Sequence, residues 1–384
     1  MGIRQSPLEG LVENVMLNIF NDKKILVTGH TGFKGSWLTA WLLKLGANVV
    51  GFSDSIPTVP SLFVDADLEC KIQHVFGDVR DLELLNAVIV DSRPDFVFHL
   101  AAQAIVSTSY KDPVGTLSTN FMGTVNVLDC LRRVVHPCVA VIITSDKCYE
   151  NIEQIWGYKE TDQIGGKDIY SASKGAAEIA FHGYYESFFK NNVNSPVRLA
   201  SGRAGNVIGG GDWAKDRIVV DCIRSWIKSE PVKIRSPEAT RPWQHVLEPI
   251  SGYLTLASHL YENKNLSGES FNFGPVSEKN QTVIDVIDDL HKSVKDVFSV
   301  SPAYEVVDRI PFHEAGLLKL NCDKSLFKLK WTSTLNYDEC IHLIGDWYGS
   351  YVKDKNVAFD ITMKHIAKYE ELGKNRGAIW AQQL

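Results

Sequence analysis

An α/β fold, an open doubly wound parallel sheet with a smaller and mostly C-terminal α/β lobe, is predicted by three features of this 384-residue chain. Short apolar, β-branched runs alternate with helical stretches from Lys24 to Gly202. That alternation favours parallel strands joined by right-handed helical crossovers. A glycine-rich turn links the first strand to the first helix. Beyond about residue 205 the strands become short and separated, so a second lobe, interleaved with the first, is expected there.

Taken in order, residues 1–22 read as a helical extension with Leu8, Leu11, Val12, Val15, Met16 and Phe20 on one side. Lys24–Thr28 is the first strand, Ser36–Leu45 the first helix with Gly46 as its stop, and Asn48–Phe52 the second strand. Strand, glycine turn, helix and strand together make the βαβ unit of a Rossmann-like dinucleotide fold. Further strands are predicted at Lys71–Phe76, Asp95–Leu100, Val139–Thr144 and Val197–Ser201. Helices are predicted at Leu82–Ser92, Pro113–Val135 (unbroken) and Tyr170–Lys190. In the second lobe, helices are expected at Leu247–Leu260, Val283–Val294, Tyr337–Tyr351 and roughly Phe359–Leu372, with a short strand and turn at Phe271–Pro275. The expected division is an extension (1–22), a dinucleotide-binding domain (23–204) and a mainly substrate-binding lobe (205–384).

Composition excludes several classes. The net charge of −6 argues against a general nucleic-acid binder, which is usually basic. No apolar run approaches the roughly 20 residues that cross a bilayer, and the N-terminus lacks a signal-peptide layout. Seven scattered cysteines without close pairs read as reduced thiols in a cytoplasmic protein, with no metal site.

The turn Gly29-His30-Thr31-Gly32-Phe33-Lys34-Gly35 has the spacing GxxGxxG. Its glycines allow a tight turn, close approach of backbone N–H groups to a pyrophosphate at a helix N-terminus, and packing of helix on strand. Asp54, about 20 residues on, is placed to accept from a ribose hydroxyl, and no Lys or Arg lies between Gly51 and Pro60 to meet a 2′-phosphate. NAD is therefore expected over NADP. Asp78 is either an adenine contact or a helix cap. The small residues Ala101 and Ala102, with Gln103, would let a ligand lie close to the backbone.

Thr144-Ser145-Asp146-Lys147 ends a strand, and Tyr170-xxx-Lys174 opens a helix. Together they can gather a hydroxyl, a carboxylate, a phenol and two ammonium groups. Spacing of four puts Tyr170 and Lys174 on one helix face. On residue type alone, Asp146 could equally be a turn cap and Lys147 a solvated charge. His30 and His99 read as a turn residue and a buried strand residue, and Trp243 and Phe273 as core.

These motifs, in this order, resemble the extended short-chain dehydrogenase/reductase family and its nucleotide-sugar branch, from Lys24 to about Tyr348. His30–Trp37, Ser145–Asn151, Arg203–Trp213 and Arg241–Pro249 resemble the CDP-glucose 4,6-dehydratases within it. Lys147 departs from the wider dehydratase pattern, where Glu is usual, and matches the CDP-glucose group. The resemblance implies cofactor contacts from Gly29, Thr31, Gly32, Phe33, Lys34, Gly35, Asp54, Asp78, Val79, Ala101, Ala102, Gln103, Asn120, Tyr170 and Lys174. It implies C4 oxidation with Tyr170 as base and Ser145 as its hydroxyl partner. The Lys174 ammonium, with the cofactor's charge, is expected to lower the phenol from about 10 toward neutrality. Asp146 is implied as the acid for the C6 hydroxyl and Lys147 as the C5 base. Asn206, Arg241 and Asn272 would hold the diphosphate of a CDP-glucose substrate, Arg235 the nucleotide end, and Arg203 would brace a loop. The helices at 113–135 and 170–190 resemble a family dimer interface, implying a homodimer or dimer of dimers. A place in deoxysugar and O-antigen biosynthesis is implied as well. Open alternatives are a dehydratase of another nucleotide sugar, a same-fold 4-epimerase, and a silent NAD-sensing relative.

Overall fold

The computed structural model describes residues 17–192, 194–275, 281–298, 303–307 and 317–382. Up to residue 16, the expected extension therefore lies outside the described residues. Leu17–Phe20 form a single 3-10 turn, with Phe20 buried edge-on against Phe96 at 4.9 Å.

Seven parallel strands form the main sheet: β1 (Lys24–Thr28), β2 (Asn48–Ser53), β3 (Gln73–Phe76), β4 (Phe96–His99), β5 (Cys138–Ile143), β6 (Val197–Ala204) and β7 (Ser270–Phe273). Their order is β7-β6-β5-β4-β1-β2-β3, and every ladder is parallel. Strands buried on both faces need apolar residues at every position, which is why KILVT and CVAVII read as continuous runs rather than alternations. Ile25, Val27, Phe96 and Phe98 face one layer, while Leu26, Val97, Ala140 and Ile142 face the other.

The first layer is formed by α1 (Phe33–Lys44), α5 (Leu247–Glu262), α6 (Tyr337–Lys353) and α7 (Ala358–Asn375). The second contains α2 (Leu82–Ser92), the helix Gly123–Leu131 and α3 (Ile169–Tyr184). Between them in sequence, α4 (Ile218–Ile227) belongs to the smaller lobe with the short strand Val232–Ile234. The chain re-enters the main sheet after residue 205, since α5 packs on β5 and β6 and β7 pairs with Ser201–Ala204. Residues 247–273 thus sit with the sheet.

Two predicted helices are interrupted. The stretch from Pro113 passes through a π turn at Ser118–Met122 before Gly123–Leu131, and α3 runs into a second π turn at Tyr185–Phe189. An extra residue in a turn re-aims a side chain without ending the helix. At the first of these it turns Asn120 inward. β6 extends past the predicted Ser201 to Ala204 because β5 and β7 pair with it on both sides. Among the described residues, no helix is long and apolar enough to cross a membrane.

Glu248, fully buried on α5, ties three parts of this layer together. It accepts from the Thr334 and Leu335 amides at 2.9 and 2.6 Å and from the Tyr369 hydroxyl of α7 at 2.8 Å. Burial pushes its carboxyl up to about 7 despite these donors. A carboxyl raised on folding binds its proton more tightly in the native state, so its stabilisation is complete below the unfolded value and fades as pH rises through 7. Urea unfolding from pH 5 to 7.5 should show wild type losing up to about 3 kcal/mol more than Glu248→Gln. Parallel pH profiles would refute this.

Candidate active site

A cleft of about 1430 Å³ opens at the C-terminal ends of the strands. It lies where the strand order reverses between β1 and β4, the position at which open α/β sheets bind ligands. Its volume exceeds the roughly 300–1,000 Å³ of common single-ligand pockets, so two large ligands can share it.

One side is the glycine turn. Gly29 has φ +74°, and a Cβ there would lie 2.7 Å from the Ala101 backbone. A Cβ on Gly35 would lie 2.1 Å from the Gly29 carbonyl oxygen. Gly32 caps α1 with no side-chain hydrogen bond, leaving first-turn amides for a ligand. Thr31 donates to the Ser55 carbonyl at 2.7 Å and bonds the Ser53 hydroxyl, fixing the turn against the end of β2. Thr31, Gly32, Phe33, Lys34, Asp54, Val79, Ala101, Ala102 and Gln103 all line the cleft. These residues fit an adenine dinucleotide.

Two expected contacts do not line this wall. Asn120 is buried, with its oxygen accepting from the Gln103 amide at 2.7 Å and its nitrogen donating to the Gln103 carbonyl and the Ser173 hydroxyl at 3.0 and 2.8 Å. It pins the Ala101–Gln103 segment to α3 and has no free atom for a ligand. Asp78 is gripped by the Arg80 guanidinium at 2.8 and 2.5 Å and accepts from the Arg80 amide, and it does not line the cleft. The helix cap at this point is Asp81, which accepts from Leu84 N. Arg80, missed in the sequence, lies in the field of Asp54 but is held by Asp78.

The floor carries the proton-moving groups. Ser145 caps a one-turn 3-10 helix, Asp146–Cys148, accepting from Lys147 N and donating to Asp146 Oδ1 at 2.9 Å. Its hydroxyl also acts on the Tyr170 phenol, favouring the ionised form. Ser145, Asp146, Lys147, Tyr170 and Lys174 therefore converge on one cleft. Burial pushes the Asp146 carboxyl up, against the pull of Lys147, Ser145 and Lys34. Burial pulls Lys174 down to about 8. Burial pushes Tyr170 up to about 12, whereas the expected lowering counts the cofactor's charge as well. Desolvation outweighs the opposing effects of Arg217 and Ser145, so the protein's own charges do not make a phenolate.

On the far side, Asn206, Arg235 and Arg241 line the cleft as expected. Asn272 does not. It is fully buried, accepting from the Tyr149 hydroxyl and donating to the Tyr158 and Asn321 carbonyls at 2.8 and 3.0 Å. Its place on β7 turns it under the floor, so it staples that layer and is unavailable to a diphosphate. Arg203 is also buried below the floor, paired with Glu178. His30 bonds His74 at 2.7 Å and His99 bonds Thr28 at 2.7 Å; burial lowers both to about 3, so both are neutral structural groups. Phe273 is core, and Trp243 is partly buried at the cleft wall. Arg217 was not anticipated: it lines the cleft and its charge reaches Tyr170, Lys34 and Asp212. A cation just before the apolar stretch of α4, after the glycine loop, was the available signal.

Residues 26–344 match the family described as GDP-mannose 4,6 dehydratase. The chain belongs to that family. It is 43% identical over 342 residues, 88% of this chain and 94% of the relative, to the CDP-glucose 4,6-dehydratase of Salmonella typhimurium (strain LT2). Among solved structures, the epimerase Mth375 of Methanothermobacter thermautotrophicus superposes with a TM-score of 0.74 at 22% identity, covering 88% of this chain and 96% of that one. The dTDP-glucose 4,6-dehydratase of Bacillus anthracis, in complex with NAD, does so at 0.69 and 19%, covering 87% and 97%.

The contact at Gly35 yields a test of the cradle. Gly35→Ala should weaken NAD binding, measured by calorimetric titration, at least about 10-fold, because the added methyl must open the turn. Unchanged affinity would remove the glycine turn from the binding site.

Proposed function

We propose that this protein converts CDP-D-glucose to CDP-4-dehydro-6-deoxy-D-glucose with bound NAD, as a hydro-lyase. The observation that carries the reading is Asp146, buried with a raised carboxyl beside Lys147, bonded by Ser145 and in the cleft that Tyr170 also lines. The 43% identity to the Salmonella enzyme supports the choice of CDP-glucose. Asp54 at the end of β2, with Arg80 sequestered by Asp78, supports NAD over NADP.

NAD when bound supplies a positive charge and a hydride acceptor for C4, with the hydride later returned at C6, so that no external oxidant is consumed. Ser145 Oγ orients the C4 hydroxyl, and Tyr170 Oη takes its proton. Lys174 Nζ, with the added charge, brings the phenol down from its buried value. The 4-keto group acidifies the C5 hydrogen. Lys147 Nζ takes that proton while Asp146 gives its own to the departing C6 oxygen, and water leaves; Lys147 Nζ, whose proton exchanges with solvent, then returns one to C5. A carboxyl raised by burial is the protonation state an acid needs. Arg241, Arg235 and Asn206 hold the nucleotide diphosphate on the cleft wall.

In this reading the protein is a cytoplasmic enzyme of deoxysugar and O-antigen biosynthesis. It works as a dimer or dimer of dimers packed through the segments 113–131 and 169–189. Exposed Val114, Met122, Ile179 and Phe188 on these segments favour that packing.

Protein incubated with CDP-glucose and NAD in D2O should give a product lighter by one water, apart from one deuterium at C5, with no net reduced cofactor. Preference for a UDP- or GDP-sugar would overturn the substrate, and a product of unchanged mass would overturn the elimination. Tyr170→Phe should lower kcat by about 10³-fold. Asp146→Asn should slow water loss by about 10²-fold while reduced cofactor accumulates in a single turnover. Near-normal turnover in either variant refutes that residue's role.

A further inference from the structure

Glu178 and Arg203 form a buried ion pair, Nη2 to Oε2 at 2.7 Å, with side chains only 2% and 5% exposed. Neither group has a part in the chemistry above. Replacing such a pair by apolar side chains of similar volume often costs nothing in stability, because desolvation consumes most of the attraction. Its other bonds give the pair a use. Glu178 Oε1 accepts from the Thr144 hydroxyl, and Oε2 also accepts from Ser201 and Ser270 at 3.0 and 3.2 Å. Arg203 Nη1 donates to the Tyr149 hydroxyl at 2.8 Å, and its guanidinium lies 5.0 Å from the centre of that ring. Thr144 immediately precedes Ser145, and Tyr149 immediately follows the Asp146–Cys148 turn. The turn that carries Ser145, Asp146 and Lys147 is therefore bracketed by two hydroxyls, one on each member of the pair. Tyr170, Lys174 and Glu178 recur at four-residue spacing along one stripe of α3.

We propose that Glu178, with Arg203, is a positioning residue that holds the Ser145–Lys147 turn in register with Tyr170 and Lys174 on α3. An apolar pair could cement the same layers but could not hold Thr144 and Tyr149 in fixed directions. Charge adds a second effect. The groups acting on Lys174 are the Cys148 thiol and Glu178, both favouring the ammonium, with Lys34 and neutral His99 in its field. Arg203 is not among them. Removing the Glu178 charge lowers the pH at which Lys174 loses its proton.

The role rests on Tyr170 and Lys174 being the proton-transfer pair, and the test separates the two readings. In Glu178→Gln/Arg203→Met, both charges go together and no buried charge is stranded. A titration of the Lys174 13Cε resonance in unliganded protein, assigned by its loss in Lys174→Met, should move down by about one pH unit. With CDP-glucose and NAD, kcat should fall at least 10-fold with KM within about 3-fold, and the alkaline limb of the kcat profile should shift the same way. Thr144→Val and Tyr149→Phe keep the ion pair and cut one bracket each. They should lower kcat several-fold at unchanged KM in protein that is still folded, with Tm lowered by the lost buried bonds, Tyr149→Phe also losing its bond to Asn272; this keeps the proposal testable if the double variant does not fold. Unchanged kcat in Thr144→Val and Tyr149→Phe overturns the positioning role. An unshifted Lys174 titration in a folded double variant overturns the charge effect. A wild type without turnover on CDP-glucose overturns the proposed function alone, because the Lys174 titration needs no substrate.

Discussion

Desolvation at the mouth of β5 and the first turns of α3 pushes the Asp146 carboxyl and the Tyr170 phenol up and the Lys174 ammonium down. All three moves have burial as their largest cause, and all three favour the neutral form. For Asp146, in its proposed role of acid, the effect is useful, since an acid must hold its proton near neutral pH. For Tyr170, in its proposed role of base, it is a brake, since a base must release a proton. One cleft floor thus suits proton donation unaided and proton removal only when more positive charge arrives. The proposed oxidation at C4 is then confined to the loaded cleft.

The arrangement depends on a turn of a few residues being held from below. Ser145 bonds Asp146 and Lys147 N and acts on the Tyr170 phenol. Below it, the chain is fixed by Glu178, Arg203, Tyr149 and Asn272, each at least nine-tenths buried. Asn120 does the equivalent work for the opposite wall by locking Ala101–Gln103 to α3. Residues that look like ligand contacts in a motif can be one layer removed and act by holding the residues that make contact.

Much of the site was legible in the sequence because it sits on local features. Glycine spacing, a strand-end Ser-Asp-Lys and a helical Tyr-xxx-Lys each depend on neighbours a few residues away. Asn272 and Asn120 were misplaced because an amide beside a cleft can face either way, and the choice belongs to the packing of β7 and to a π turn. Arg217 and Arg80 went unnoticed because a single cation carries no pattern until its neighbours in space are known. The upward push of burial on Tyr170 was not legible for the same reason, since depth of burial is a property of the assembled layers.

By itself, the sequence determined the alternation of strands and helices, the glycine turn and the two local motifs, Ser145-Asp146-Lys147 and Tyr170-xxx-Lys174, that meet in the cleft, all of which depend on short-range periodicity and side-chain chemistry. Only the tertiary structure decided that β7 joins the main sheet, that Glu178 and Arg203 bracket the catalytic turn, and which groups are dry enough to be neutral. Those outcomes depend on contacts between residues far apart in the chain and on the water they exclude, and neither is recorded in local sequence.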